Sequence, residues 1–170
     1  MKYIFDIDLS KCVNCGACAV ACMDQNDIFP EKGDLPYRKC FSVEEGHGME
    51  TKITYMSMSC MHCENAPCVS ACPVGCLSKD PESGLTLYDN TNCIGCHSCS
   101  LACPFSAPVF NGTGKMSKCD GCITRVKNGM EPACVRICPF DALKLYTEEE
   151  YNLVKRERAA KSVARAMETH

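Results

Sequence analysis

The chain is 170 residues long, carries a formal net charge of −3 and contains 18 cysteines. This length suits one compact domain or two small interleaved ones. The acidic balance argues against a nucleic-acid-binding role, which needs a basic face, and no apolar run reaches the roughly 18 residues of a membrane span. So high a cysteine content leaves a disulfide scaffold, a zinc protein or an iron–sulfur protein.

The predicted elements are short and lie next to groups of cysteines. Alternation of apolar and polar residues predicts strands at Tyr3–Ile7, Lys52–Met58, Gly84–Tyr88 and Leu143–Tyr146. Residues 24–51 form a predicted linker with turn signals at 34–36 and 46–48. Residues 127–130 predict a helix end followed by a turn.

The last predicted element is a C-terminal helix over residues 147–170. Thr147 and Glu150 form a capping box, and no Gly or Pro interrupts the run behind them. Because little core is left for this helix to cover, we expect it to dock a partner subunit or another copy of the complex. The alternative is a solvated helix or a frayed tail.

Sixteen of the cysteines fall into four groups of four. Groups one and three share the spacing C-x2-C-x2-C-x3-C, group two reads C-x2-C-x4-C-x3-C, and group four reads C-x2-C-x11-C-x3-C. The members, in group order, are Cys12, Cys15, Cys18 and Cys22; Cys60, Cys63, Cys68 and Cys72; Cys93, Cys96, Cys99 and Cys103; and Cys119, Cys122, Cys134 and Cys138. Cys40 and Cys76 stand outside the groups. We expect both to be small buried thiols, with an added metal site or a surface disulfide as the alternatives.

This spacing is that of ferredoxin-type [4Fe–4S] binding, in which the fourth cysteine of a group ligates the other cluster of a pair. The first three cysteines wrap one face of a cubane on a tight loop, and the fourth lies on the short helix that follows. Cys60, Cys63 and Cys68 are therefore expected to hold one cluster, and Cys72 to reach another. Proline follows the last cysteine in three groups and fixes the exit from the helix, whereas Met23 follows Cys22.

Zinc is the main chemical rival for these thiols. A structural zinc ion takes four ligands, usually as two separated pairs, and the group spacing crowds a single tetrahedral ion. A disulfide framework is typical of shorter secreted chains, and the first residues, MKYIFDIDLSKC, contain neither a secretory signal nor a twin arginine. We therefore expect an iron–sulfur protein of the cytoplasm, with export bound to a signal-bearing partner as the alternative.

From about Tyr3 to Tyr146, the sequence resembles the iron–sulfur electron-transfer subunits of the molybdopterin oxidoreductase (dimethyl sulfoxide reductase) family. The resemblance rests on the motifs CMHCENAPCVSACP, GLTLYDNTNCIGCHSCSLACPF, KCDGC and EPACVRICP. It implies an α+β fold of two interleaved ferredoxin-like two-cluster units with short strands and helices, plus the C-terminal helix. The outer unit would comprise residues 1–51 and 111–146, with groups one and four, and the inserted inner unit residues 52–110, with groups two and three.

The same resemblance implies four [4Fe–4S] clusters with crossed ligand sets. Cluster 1 would be held by Cys12, Cys15, Cys18 and Cys138, cluster 2 by Cys119, Cys122, Cys134 and Cys22, cluster 3 by Cys60, Cys63, Cys68 and Cys103, and cluster 4 by Cys93, Cys96, Cys99 and Cys72. Some relatives replace one cysteine of group three and carry a [3Fe–4S] centre, but this chain has all four.

The implied function is electron transfer by a subunit that is not itself an enzyme. The sequence has no nucleophile elbow, phosphate loop or dinucleotide fingerprint. The resemblance implies relay of single electrons between a large catalytic subunit (a molybdopterin or tungstopterin enzyme, or a hydrogenase) and another redox partner in anaerobic metabolism. The second partner would be another electron-transfer subunit, or further copies would assemble through the C-terminal helix. The alternatives are a free-standing diffusible polyferredoxin and, from a different class, a structural zinc protein or metal store.

Several residues beside the cysteines are candidates for tuning the properties of the clusters. Lys11, Lys118 and Arg136 either offset the negative charge of the clusters or are solvated surface charges. His62 and His97 are expected to be hydrogen-bonding loop residues, with a tuning or proton-coupled role as the alternative. The methionines expected to pack against a cluster are Met56, Met58 and Met61.

Overall fold

The computed structural model describes residues 1–168 and has an α+β fold of short elements. The strands are β1 (Tyr3–Ile7), β2 (Lys39–Glu45), β3 (Lys52–Met58), β4 (Leu77–Lys79), β5 (Thr86–Tyr88), β6 (Val109–Phe110), β7 (Met116–Ser117) and β8 (Leu143–Thr147). The helices are α1 (Ala17–Gln25), α2 (Pro67–Ser70), α3 (Ser98–Ala102), α4 (Ile123–Lys127), α5 (Ala133–Arg136) and α6 (Glu148–Glu168), with 3₁₀ turns at Pro30–Lys32 and Gly48–Glu50. The last two residues of the predicted C-terminal helix lie outside the described residues.

The strands form four antiparallel pairs. β1 pairs with β8, so the two ends of the cysteine-bearing region meet, with Phe5 opposite Leu145. The other pairs are β2 with β3, β4 with β5, and β6 with β7. The predicted third strand begins at Thr86 rather than Gly84, because Gly84 lies in the preceding turn with a φ of 69°. The predicted linker at 24–51 contains a strand that the sequence did not indicate, β2, and its predicted turn at 46–48 lies between β2 and β3.

Both predicted boundaries of the inner unit fall inside hairpins. The boundary between residues 51 and 52 separates β2 from β3, which are paired along seven residues. The boundary between residues 110 and 111 separates β6 from β7. The division into an outer and an inner unit stays a prediction, since strands on the two sides of each boundary are hydrogen-bonded to each other.

The core consists of two small clusters of buried residues, and cysteine is a large part of each. One cluster is made of Phe5, Cys18, Leu85, Cys134, Val135 and Leu143. The other is made of Ala66, Cys68, Cys76, Leu77, Cys99 and Met116. With so few large apolar side chains, a bound metal group would supply part of the folding free energy that a larger core normally supplies.

The C-terminal helix α6 begins with the predicted capping box. The Thr147 N–H donates to the Glu150 carboxylate at 2.8 Å, and the Glu150 N–H donates to the Thr147 hydroxyl at 3.2 Å. Arg158 makes a two-pronged ion pair with Asp6 of β1, at 2.6 and 3.0 Å. No residue of α6 is buried among those described, so the helix leaves its apolar side chains at the surface.

Candidate metal centres

Each cysteine group opens with the same left-handed turn. The residue two positions after the first cysteine has a positive φ, namely 57° at Asn14, 47° at His62, 65° at Gly95 and 75° at Gly121. Glycine adopts this conformation freely, and other residues do so at a cost of about 1 kcal/mol or more. In two groups the turn aims a backbone N–H at the first sulfur: His62 to Cys60 and Gly121 to Cys119, both at 3.4 Å.

A second repeated turn follows the last cysteine of groups two, three and four. After each Cys-Pro pair, a residue with positive φ (Gly75, Ser106 or Asp141) reverses the chain. The next residue then donates its backbone N–H to the cysteine sulfur: Cys76 to Cys72 at 3.2 Å, Ala107 to Cys103 at 3.4 Å and Ala142 to Cys138 at 3.3 Å. Hydrogen bonds of this kind stabilise a thiolate and help set the potential of a cluster that it holds.

Group one departs from this turn because Met23 replaces the proline. Without a proline to disfavour helical conformation at the preceding residue, α1 continues through Cys22 to Gln25. The side-chain amide of Asn26, one helical turn beyond Cys22, lies 3.7 Å from the Cys22 sulfur and donates to the Cys22 carbonyl at 2.7 Å. A side-chain donor therefore takes the place of the backbone donor of the other groups.

We expect Gly95→Ala to destabilise the protein more than Gly16→Ala. Both glycines have positive φ, so a side chain costs about 1–2 kcal/mol at either one. A Cβ at Gly95 would lie 2.6 Å from the Gly114 carbonyl oxygen, whereas at Gly16 it would meet nothing within 4 Å. Relieving the backbone overlap should cost about 1–3 kcal/mol more. Anaerobic denaturant unfolding followed by circular dichroism checks this, and equal losses in the two variants would contradict it.

The structure brings Cys12, Cys15, Cys18 and Cys138 together around one cavity. Three of these cysteines come from the group-one loop and α1, and the fourth from the end of group four. A fifth thiol, Cys40 of β2, lines the same cavity, with its sulfur 3.8 Å from that of Cys18. The prediction that Cys40 is buried is wrong, since it is only partly buried; the surrounding strand β2 is the element that the sequence did not reveal.

A second cavity is lined by Cys93, Cys96, Cys99 and Cys72, which joins three cysteines of group three to the last of group two. Cys76 lines it as well and is 4 % exposed, as expected for a buried thiol. Burial raises the pKa of the Cys72 thiol, but backbone N–H groups of the following turn lower it below its ordinary value. These donors favour the thiolate, which is the form that ligates a metal.

Cys22, the last cysteine of group one, lies among cysteines of group four. Burial raises the pKa of the Cys22 thiol, and its neighbours Cys119, Cys134 and Cys122 raise it further. Burial likewise raises the pKa of Cys122 to about 11, with Cys119 and Cys134 again among the contributing neighbours. These four thiols therefore share one neighbourhood.

Three cysteines of group two lie near Lys79. Burial lowers the pKa of Lys79, and the nearby thiols of Cys60, Cys63 and Cys68 oppose this effect. The ammonium group donates to the Cys63 carbonyl at 2.8 Å. Burial raises the pKa of the Cys68 thiol, which Lys118 lowers and Cys103 of group three raises. Cys103 is therefore the group-three cysteine that lies near group two.

Among the residues that the structure describes, two cations are buried. Arg38 is 4 % exposed and Lys118 is fully buried, and within residues 1–168 neither forms an ion pair with a carboxylate. Arg38 donates to the Ser57 hydroxyl at 3.0 Å. Burial lowers its pKa, but four nearby thiols raise it above its ordinary value: Cys134, Cys119, Cys18 and Cys22. A buried cation is costly without a nearby anion, so both sites suit a negatively charged group.

The other residues predicted to influence the clusters differ in how deeply they are buried. Lys118 is not a solvated surface charge, whereas Lys11 and Arg136 are exposed. His62 is 6 % exposed and stacks on Phe5, while His97 is exposed and stacks on Phe110. Of the three methionines expected to pack against a cluster, Met56 and Met58 are partly buried and Met61 is exposed.

These surroundings fit [4Fe–4S] clusters. A cubane with four thiolate ligands is an anion, and hydrogen-bond donors and cations near its sulfurs stabilise it. Besides the N–H groups and cations already described, the buried Arg38 Nε and Ser59 hydroxyl have no hydrogen-bond partner among the described residues. Within residues 1–168, no three Cys, His, Asp or Glu side chains form a site for a single metal ion.

Comparisons with known proteins also indicate [4Fe–4S] clusters. Two models of a 4Fe-4S dicluster domain match the chain, at residues 11–76 and 51–148. The chain is 40% identical to the B subunit of the anaerobic dimethyl sulfoxide reductase of Escherichia coli (strain K12), over 84% of this chain and 72% of that protein. It is 42% identical to the thiosulfate reductase electron transfer subunit of Salmonella typhi, over 84% and 74%. It is 36% identical to the iron-sulfur subunit of the nitrate-inducible formate dehydrogenase of Escherichia coli (strain K12), over 95% and 60%.

Two dicluster domains imply four [4Fe–4S] clusters, which the cysteine content accommodates. No helix within residues 1–168 is long and apolar enough to cross a membrane. The matched relatives are iron–sulfur or electron-transfer subunits of reductase and dehydrogenase complexes, so the chain is a non-catalytic subunit. It belongs to the iron–sulfur electron-transfer subunits of the molybdopterin oxidoreductase (dimethyl sulfoxide reductase) family.

Proposed function

We propose that this chain relays single electrons through four [4Fe–4S] clusters between a large molybdenum- or tungsten-containing catalytic subunit and a second redox partner. The observation that carries the proposal is the crossed arrangement of cysteines around each cavity. In both cavities, three cysteines of one group are joined by the last cysteine of another, Cys138 or Cys72. This is the pattern by which paired ferredoxin-type clusters are bound.

The proposed ligand sets are those expected from the resemblance. Cluster 1 is held by Cys12, Cys15, Cys18 and Cys138, cluster 2 by Cys119, Cys122, Cys134 and Cys22, cluster 3 by Cys60, Cys63, Cys68 and Cys103, and cluster 4 by Cys93, Cys96, Cys99 and Cys72. Clusters 1 and 4 are supported by the two cavities. Cluster 2 is supported by the closeness of Cys22 to Cys119, Cys134 and Cys122, which raise the pKa of its thiol. Cluster 3 is supported by the closeness of Cys103 to Cys68, whose pKa it raises.

The clusters, when bound, take up and release one electron at a time. The chain's own residues supply the environment that this requires. Backbone N–H groups at the ends of the Cys-Pro turns and the Asn26 amide donate to ligand sulfurs. Arg38 and Lys118 offset negative charge in the interior. Four cysteine ligands per cluster leave no iron open to a substrate, which suits relay and not catalysis.

The partner is tested by a strictly anaerobic pull-down of the tagged chain from its own host, with co-purifying subunits identified by mass spectrometry. We expect a large pterin-containing subunit in fixed ratio, since the relatives belong to dimethyl sulfoxide reductase, thiosulfate reductase and formate dehydrogenase. A hydrogenase subunit in its place would change the partner but keep the relay. A chain recovered alone, brown and small, would overturn the fixed-subunit function in favour of a diffusible polyferredoxin. The cytoplasmic location expected from the sequence is proposed as well, and fractionation of cells of the same host tests it.

The C-terminal helix α6 is proposed to dock a partner subunit or a further copy of the complex. Leu153, Val163 and Met167 are 61 %, 59 % and 74 % exposed, while the ion pair of Arg158 with Asp6 ties the helix to β1. Deleting residues 150–170 is expected to lower the mass of the purified complex by more than the deleted segment, because a subunit is lost. Mass photometry measures this, and a complex of otherwise unchanged mass would rule the docking role out.

A further inference from the structure

A closed ring of hydrogen bonds joins the group-two loop to the group-four loop. The Lys118 ammonium donates to the carbonyl oxygens of Thr86 and Cys119. The Thr86 N–H donates to His62 Nδ1 at 3.0 Å, and His62 Nε2 lies 3.6 Å from the Cys119 sulfur. Thr86, the first residue of β5, therefore hydrogen-bonds both the Lys118 ammonium group and the His62 imidazole where the two loops meet.

The closed ring of hydrogen bonds fixes which nitrogen of the His62 imidazole carries the proton. Nδ1 accepts the Thr86 N–H and is therefore unprotonated, so a neutral imidazole has its proton on Nε2. That proton faces the Cys119 sulfur.

The surroundings hold the imidazole in one orientation. Thr86 is 1 % exposed, and the ring of His62 stacks on Phe5 with centroids 5.3 Å apart. Gly121 leaves the space that the ring occupies, since a Cβ there would lie 3.3 Å from His62 Cε1 and 2.8 Å from a methyl group of Leu85. His62 itself keeps a positive φ of 47°, a conformation that costs a non-glycine residue energy.

We propose that His62 is a positioning residue for electron transfer between the two cluster pairs, donating its Nε2 proton to the Cys119 sulfur and so raising the reduction potential of the cluster that Cys119 holds. The inference rests on the proposed ligand sets. His62 lies between Cys60 and Cys63, ligands of cluster 3, and contacts a ligand of cluster 2, so it forms a direct bridge between the pairs. Each crossing oxidises one cluster by one electron and reduces the other by one, and the imidazole keeps its proton.

The expected effect follows from the sign of the charge. Adding an electron makes a cluster more negative, so a hydrogen bond to its sulfur, or a buried cation beside it, favours the reduced form. His62→Leu removes the donor and is expected to shift the midpoint potential of cluster 2 to a more negative value. His62→Gln places a side-chain N–H near the position of Nε2 and is expected to retain most of the wild-type potential.

His97→Leu is the matched control. His97 occupies the group-three loop with a similar positive φ of 62°, but its ring is exposed and stacks on Phe110. Both substitutions place leucine in the same strained conformation, so a general effect of strain would appear in both. Only His62→Leu is expected to shift the potential of cluster 2.

The test is a redox titration of the anaerobically purified complex, followed by electron paramagnetic resonance. The signal of cluster 2 is identified as the one that Cys119→Ser removes. In addition, wild-type complex labelled with ¹⁵N-histidine is expected to show a histidine nitrogen coupling in the spin-echo spectrum of that cluster, and His62→Gln to abolish it. This second measurement needs no folded His62→Leu protein.

The outcomes separate this inference from the proposed function. Without four cubanes in the wild-type complex, the ligand sets fail and the role of His62 fails with them. With four cubanes present, an unshifted potential in His62→Leu and no histidine nitrogen coupling would overturn the role of His62 alone. Where His62→Leu does not assemble, absence of the nitrogen coupling in the wild type overturns it.

Discussion

Cys72→Ala is expected to abolish the cluster of group three and to leave that of group two in place. Cys72 belongs to group two in the sequence but lines the cavity of Cys93, Cys96 and Cys99. Loss of one thiolate ligand should release that cubane and the folding free energy that its binding supplies. Cys93→Ala should remove the same electron paramagnetic resonance signal, and Cys60→Ala a different one. Anaerobic purification with iron analysis should find the content of one cluster missing in each variant.

Cys76→Ala is the matched control. Cys76 lines the same cavity and donates its backbone N–H to the Cys72 sulfur, and the alanine variant keeps that N–H. Its iron content and its spectra should therefore remain those of the wild type. If Cys76→Ala lost a cluster and Cys72→Ala did not, the crossed ligand sets would be wrong at this site.

Arg38→Met is expected to be strongly destabilising. The guanidinium lies in the interior among cysteines of groups one and four and donates to Ser57. Removing one member of a buried charged arrangement costs about 3–5 kcal/mol, because the charge that it offset is left without compensation. Cluster absorbance should therefore be lost at lower denaturant concentration under anaerobic conditions, and Arg38→Lys should recover part of the difference.

Arg136→Met tests whether an arginine must be buried, and not only close to cluster cysteines in the sequence, to contribute to stability. Arg136 lies between Cys134 and Cys138 in the sequence, but its side chain is exposed. Water screens such a charge, so this substitution should change stability by less than about 1 kcal/mol. Equal destabilisation by Arg38→Met and Arg136→Met would contradict the role given to the buried guanidinium.

Elements whose signals are local can be predicted from the sequence. The strands at Tyr3–Ile7 and Lys52–Met58 occur with the predicted bounds. The capping box at Thr147 forms both of its hydrogen bonds, and Asn128 and Gly129 end α4 as expected. Period, cap and turn residues act within a few positions along the chain, so spacing alone reveals them.

Features that depend on distant partners cannot be predicted in this way. β2 is mostly exposed and carries charge, and its partner β3 is needed to define it as a strand. Arg38 gives no signal in the sequence, since its thiol neighbours come from groups one and four and meet only in the fold. The sequence places His62 in a cluster loop but contains nothing to indicate that its ring faces Cys119, 57 positions away.

The most direct test of the four-cluster relay is iron and sulfide analysis with Mössbauer spectroscopy on the chain purified anaerobically with its partner. The relay predicts iron and inorganic sulfide in equal amounts, at the content of four cubanes per chain. It also predicts that each cubane accepts one electron on reduction. Zinc in the place of iron, or cubanes sufficient for only one pair, would contradict it.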